Sequence, residues 1–286
     1  MSDIALINDS QQSAIVTNGI GKNGEIYMKA AGSTDAGALV VYDAGNWRKF
    51  ADEASSGIAN DYSVDFDGAN DYLAIGSSGT FGSVSLWFKS DAIINKSQPL
   101  QNLLGFTGVS PYGVYGGIVL GGNVTGSVTD ELITIYTGDW SYSYSSSTDS
   151  ISTDWHHLGI RWSGSDYEIY LDGGSNIKND DGQFASASKA NFPYSLLSVG
   201  RRNTNSRFFN GLIDEVAIWS TPLSASDLVG IYNSGVPGDI SSLSPVGYWR
   251  MGDNDGGTGT TITDQGSGSN DGTLTNGPTF SSSVPS

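Results

Sequence analysis

The chain has 286 residues, and its 30 acids against 13 bases give a formal charge of −17, a poor match for nucleic-acid backbone, which needs a basic footprint. Cysteine is absent and the two histidines are adjacent, which excludes disulfides, thiolate or multi-histidine metal sites and cysteine nucleophiles within one chain. Glycine reaches 39 residues without a G-x-y period, so the abundance reads as turns rather than collagen.

The first twenty residues lack a basic stretch followed by an apolar core, and no run reaches 18 apolar residues. Neither a signal peptide nor membrane insertion is expected. Residues 1–57 form an opening zone with two readable pieces, GEIYMKAA at 24–31 and ALVVY at 38–42. The turn Asp43-Ala44-Gly45-Asn46 before Trp47 fits a hairpin. So short a zone buries little surface alone, so it is read either as an arm packed on the main domain or as an oligomerisation or attachment module.

Residues 58–235 have an all-β texture. Val84, Leu86 and Phe88 alternate with polar or outward positions, and 156–162 and 167–171 flank the loop Ser163-Gly164-Ser165-Asp166. Eight or more short strands separated by turns predict an antiparallel β-sandwich or jelly roll. One short helix is expected over 224–235, opened by a Ser224/Asp227 capping box and stopped at Gly235, plugging a sandwich end. Residues 236–286 begin with one aromatic segment and trail into Gly, Ser, Thr and Asn. They are expected to pack on the sandwich or on a neighbour.

Three stretches, taken in order, resemble one family. SVDFDGANDYL (63–73), WHHLGIRWSGSDYEIYLDG (155–173) and FNGLIDEVAIWSTPLS (209–224) resemble the strands of laminin-G-like, concanavalin-A-like jelly rolls. The opening ALVVYDAGNWRKFADE resembles, over a short span, structural proteins of tailed bacteriophages. The two resemblances imply a non-catalytic virion protein, either a capsid decoration or a tail or fibre component. Such a protein would be assembled in the host cytoplasm beside other virion proteins, as a homo-oligomer with a trimer favoured, and would touch host glycans. The alternative is a carbohydrate-binding or adhesion module of a secreted or surface protein, with a glycoside hydrolase a distant third.

The family resemblance also implies calcium at the sandwich rim. Asp67, Asn70 and Asp71 make an oxygen-rich turn, and Gly68 permits a left-handed backbone there. Strand parity places Asp214 on one face with Val216 and Ile218, and Glu215 on the other, unless a bulge intervenes. Asp214 is therefore either a fourth calcium ligand or a strand pin held by neighbouring amides. Glu-x-Asp-x-Glu spacing is missing there, which argues against sugar-bond hydrolysis and leaves no catalytic residue to name. His156 and His157 face opposite ways, one packed in the sandwich and one wetter. Partner or glycan contacts are expected from Trp47, from Tyr142 and Tyr144 in the SYSYSSSTDS run, and from the basic trio Arg201, Arg202 and Arg207.

Overall fold

A computed structural model describes residues 5–7, 25–29, 39–43, 46–49, 58–76, 78–95, 98–108, 115–121, 132–137, 140–144, 150–163, 166–178 and 192–286. The chain divides into two units, Met1–Ser56 and Gly57–Ser286. In the first, β1 (Ala5–Ile7), β2 (Glu25–Lys29), β3 (Leu39–Asp43) and β4 (Asn46–Lys49) form one sheet in that order. β3 and β4 pair antiparallel with Asp43 opposite Asn46, in keeping with the hairpin expected there.

The second unit is an all-β antiparallel sandwich. Its strands are β5 (Ser63–Asp67), β6 (Tyr72–Ile75), β7 (Gly79–Phe81), β8 (Ser83–Ser90), β9 (Ile94–Asn95), β10 (Gln101–Gly108), β11 (Gly116–Leu120) and β12 (Ile133–Thr137). They continue with β13 (Trp140–Tyr144), β14 (Ser150–Ile151), β15 (His156–Ser163), β16 (Asp166–Leu171), β17 (Gly174–Lys178) and β18 (Phe192–Val199). The last are β19 (Asn210–Trp219), β20 (Gly247–Trp249), β21 (Thr261–Ile262), β22 (Gly272–Thr275) and β23 (Thr279–Ser281). Among the described residues, one sheet runs β13-β12-β11-β10-β18-β6-β22-β21, with β7 also on β18. The other runs β17-β16-β15-β8-β19-β5-β23, with β20 also on β19.

The core lies between the sheets and follows from period two. Val84, Leu86 and Phe88 of β8 point inward with Leu158 and Ile160 of β15, and meet Leu104, Phe106, Ile118, Leu197 and Val199 of the facing sheet. The other side of β8 carries Ser85 and Trp87. There a second apolar cluster forms beneath α1 (Ala225–Tyr232), from Tyr170, Ala217, Trp219, Leu228, Ile231 and Tyr248.

The helix starts where predicted. Ser224 Oγ accepts the Asp227 N–H while Asp227 accepts the Ser224 N–H, and the helix ends at Asn233 in the left-handed region. It does not plug a sandwich end. Leu228 packs over Gly159 and Tyr232 over Gly173, so the helix lies on the outer face of the second sheet. This also places the histidines. His157 is fully buried, yet outside the sandwich core, tilted against Trp87 and Tyr232. Its Nε2 meets Ser85 Oγ at 2.8 Å, and burial pushes its pKa down to about 3.

Residues 236–286 are part of the same unit and not an appendage to it. β20 and β23 extend the sheet at β19 and β5, and β22 pairs with β6 through four residues, from Gly272↔Ile75 to Thr275↔Tyr72. The second unit therefore runs from Gly57 to Ser286.

Candidate functional site

The rim of the sandwich brings three distant segments together. Between β5 and β6 the chain turns at Asp67–Asn70, where Asp67 Oδ1 accepts the N–H groups of Ala69 at 2.8 Å and Asn70 at 3.2 Å. Gly68 takes φ +72°, and a Cβ there would fall 2.8 Å from Asn210 Cβ, so the start of β19 rests directly on the turn. Asn210 N–H in turn donates to Gln101 Oε1 at 2.8 Å, and Asn102 N–H donates to Arg207 O at 2.8 Å.

These ties enclose a cleft of about 770 Å³. Asp67, Gln101, Asn210, Arg207 and Phe208 line it, with Pro99 and Leu100 as an apolar wall. One carboxylate, one guanidinium, two amides and an aromatic ring thus share one open depression. The backbone N–H groups, that of Ala69 first, hold the Asp67 carboxyl below its ordinary range, so the cleft keeps its anion. Asp71, buried behind the turn, accepts the Asp67 N–H at 3.3 Å and is pushed up by burial.

Asp214 lies elsewhere, because β19 carries a bulge. Asp214 pairs with Trp87 and Ala217 with Ser85, three steps on one strand against two on the other, and Glu215 takes φ +47°. The extra residue resets the parity. Ile213, Val216 and Ile218 face the core, and Asp214 and Glu215 are turned toward the same neighbour, Asp253. The ligand atoms of these three carboxylates lie within 4.8 Å of one another. The expectation that Asp214 and Glu215 point oppositely is thus corrected.

The trio is satisfied from within. Asp214 accepts Glu215 N–H at 2.8 Å and Asn60 Nδ2 at 2.9 Å. Glu215 accepts Arg250 Nε at 3.0 Å and the Tyr248 hydroxyl. Asp253 accepts the N–H groups of Asp61 at 2.7 Å and Tyr62 at 3.2 Å, and Arg250 Nη2 at 3.3 Å. Burial raises the Asp214 pKa well above the carboxylate range and the Glu215 pKa to about 7, with Arg250 opposing the shift at Glu215. Every carboxylate oxygen has a donor, so this is a structural clamp joining the lead-in to β5, the bulge and the C-terminal segment.

The calcium quartet does not fit as one site. Asp67, Asn70 and Asp71 stand at the rim turn, whereas Asp214 is fully buried in the clamp with Glu215 and Asp253. Its two oxygens are taken by Glu215 and Asn60, as the strand-pin reading has it.

The remaining contact candidates scatter. Arg207 lines the cleft, Arg201 stacks on Tyr72 with its guanidinium carbon 3.3 Å from the ring centroid, and Arg202 lies 5.9 Å from the Tyr115 ring. Tyr142 pairs with Ile135 and Tyr144 with Ile133 along β13, and their side chains lie outside the described residues. So does the side chain of Trp47, in β4. Trp219 and Trp249 are buried and donate to Leu243 O and Asn270 O.

His156 links Asp172, at 2.7 Å, to Ser152, at 2.9 Å. Ser152 Oγ also donates to Asp154 and accepts its N–H, which makes a turn of the array rather than a poised nucleophile. Sequence reading missed Gln101, Phe208 and Asn210, whose only signal was their nearness to turn residues.

The profile of the concanavalin A-like lectin/glucanases superfamily matches residues 67–229, more than half of the chain. A Bacteroides ovatus protein described as carbohydrate-binding is similar in fold, with 20% identity and TM-score 0.52, over 79% of this chain and 61% of that one. The chain therefore spans less than two thirds of that structure. Domain 4 of AbnA, an extracellular GH43 arabinanase from Geobacillus stearothermophilus solved with arabinotriose, shares 16% identity over 76% and 95% of the two chains, at TM-score 0.43. The CBM40 of a Ruminococcus gnavus IT-sialidase shares 10% over 62% and 99%, at TM-score 0.38. No curated protein matches significantly. No helix among the described residues is long and apolar enough to cross a membrane.

Proposed function

Because the chain belongs to the concanavalin A-like lectin/glucanases superfamily, we propose that its jelly roll is a non-catalytic carbohydrate-binding module, with the saccharide seated in the rim cleft. The observation that carries this reading is the lining itself. Asp67, Gln101, Asn210 and Arg207 supply hydrogen-bonding groups of both senses around the ring of Phe208, which suits hydroxyl-rich pyranose faces. The buried clamp supports the non-catalytic part. Its acids are paired to protein donors and lie away from the cleft, whereas glycoside hydrolysis needs two carboxyl groups on either side of a bound sugar.

A glycan array followed by calorimetry on the full chain tests the reading. Phe208→Ala should weaken the best saccharide by about tenfold or more, the loss of one aromatic anchor, with the thermal midpoint little changed. Equal affinity in wild type and Phe208→Ala would remove the saccharide from this cleft.

As a second reading we propose display on a bacteriophage particle, with residues 1–57 as the attachment arm and a trimer as the assembly. It is favoured by the phage-like opening stretch and by the separate four-stranded sheet of Met1–Ser56. Copy number and position on purified particles, by electron microscopy, test it.

A further inference from the structure

The loop from Gly200 to Phe209 reads GRRNTNSRFF, three cations and no acid, in a chain with 30 acids and 13 bases. It is closed at its root, where Phe209 N–H donates to Gly200 O at 2.8 Å, and again by the Arg202–Ser206 bridge. Its first limb is laid on the outer face of the first sheet. A Cβ at Gly105 of β10 would fall 2.3 Å from Arg201 O, so only glycine lets the limb sit down. Asn203 then fastens it, donating to Thr107 Oγ1 at 3.0 Å and accepting from the Ser198 hydroxyl.

Arg201 is set apart from two other arginines of this unit. Arg161 is forked by Glu168 at 2.7 and 2.8 Å, and Arg250 is held by Glu215 and Asp253. Around Arg201 are the Tyr72 ring and Asn205 Oδ1, at 3.1 Å from Nη1, while its Nε is buried without an acceptor. Burial pushes its pKa down and Tyr72 opposes that. Among the described residues no carboxylate pairs with it, and a partly buried guanidinium so placed is short of stabilisation that a bidentate anion supplies.

We infer that Arg201 is an anion subsite and that the saccharide this module takes is acidic, carrying a carboxylate or a sulfate that docks on the Arg201 fork. The inference rests on the carbohydrate-binding reading and deepens it. Arg201 and Arg207 stand on the two limbs of one closed loop, and Arg207 lines the cleft, so the proposed anion subsite belongs to the same loop as the saccharide site. The planar fork fits either oxyanion, and stacking on Tyr72 fixes its plane before the ligand arrives.

The test is calorimetric titration of the full chain with tetragalacturonate, a sulfated chondroitin tetrasaccharide and neutral cellotetraose, in wild type, Arg201→Gln and Arg201→Lys. Acidic ligands should bind more tightly than cellotetraose, and Arg201→Gln should weaken them by about tenfold or more while leaving cellotetraose within about twofold. Arg201→Lys keeps the charge but loses the fork, so it should fall between, and it answers the question if the glutamine variant unfolds. Loss confined to tetragalacturonate identifies a carboxylate, and loss confined to chondroitin identifies a sulfate. If Arg201→Gln leaves acidic binding intact, or weakens the neutral ligand equally, the anion subsite is refuted while the module reading stands. If no saccharide binds wild type, both fall.

Discussion

The rim turn and the buried clamp use the same residue types to opposite ends. At Asp67 the carboxylate lies at the surface and collects backbone N–H groups, which favour its charged form. At Asp214 and Glu215 the surroundings exclude water, a third acid stands close by, the one arginine reaches only Glu215 and Asp253, and burial favours the protonated form. The difference teaches that a run of acids in this chain is not evidence of a cation site. What decides is whether the oxygens face water, backbone donors or each other.

The comparison is broken most severely by removing the clamp's cation. Arg250→Met leaves Glu215 and Asp253 buried without their partner and should cost about 3–5 kcal/mol in urea denaturation at pH 7. The deficit should shrink at pH 5, where Glu215 is protonated.

A smaller effect sharpens it. The folded pKa of Glu215, about 7, lies above the ordinary 4.5, so the folded state holds a proton that the unfolded chain releases. Its contribution is complete below about pH 4.5 and is lost as pH rises to 7. Relative to Glu215→Gln, wild type should lose about 2 kcal/mol between pH 5 and 8 in the same assay, and parallel curves would refute the assignment.

The smallest effect has the reverse sign. Asp67→Ala should cost about 0.5–1 kcal/mol at pH 7 through the two lost turn hydrogen bonds. That difference should disappear as pH falls below the carboxylate range, because the folded pKa there is lowered.

Much of the architecture was legible. The alternation at 84–88, the 156–171 hairpin and the Ser224/Asp227 cap are local patterns, and local patterns survive folding. The parity of β19 was not, because one residue in the left-handed region, Glu215, shifts every later side chain to the other face, and a glutamate gives no warning of it. The strands of the C-terminal segment hid in Gly, Ser and Thr, since strands this short bury few side chains: Ile262 and Leu274 are the apolar pair that β21 and β22 contribute to the core. The cleft was half legible. Asp67 was singled out as a turn acid and Arg207 as a loop cation, but their meeting depends on Asn210 pairing with Asp67 across 143 positions of chain, which no local pattern encodes.

The pairing of β5 with β23 and of β6 with β22 also sets a schedule for synthesis. The segments that open the sandwich are completed by the segments that finish it, and Ser63 Oγ is bonded to Ser283 O at 2.8 Å. While the ribosome is still making residues 236–286, the free sides of β5 and β6 stand as unpaired backbone on the nascent chain. The sandwich therefore cannot close until β22 and β23 have been made, and a chaperone that shields bare strand edges would have its work here, early in the life of each copy.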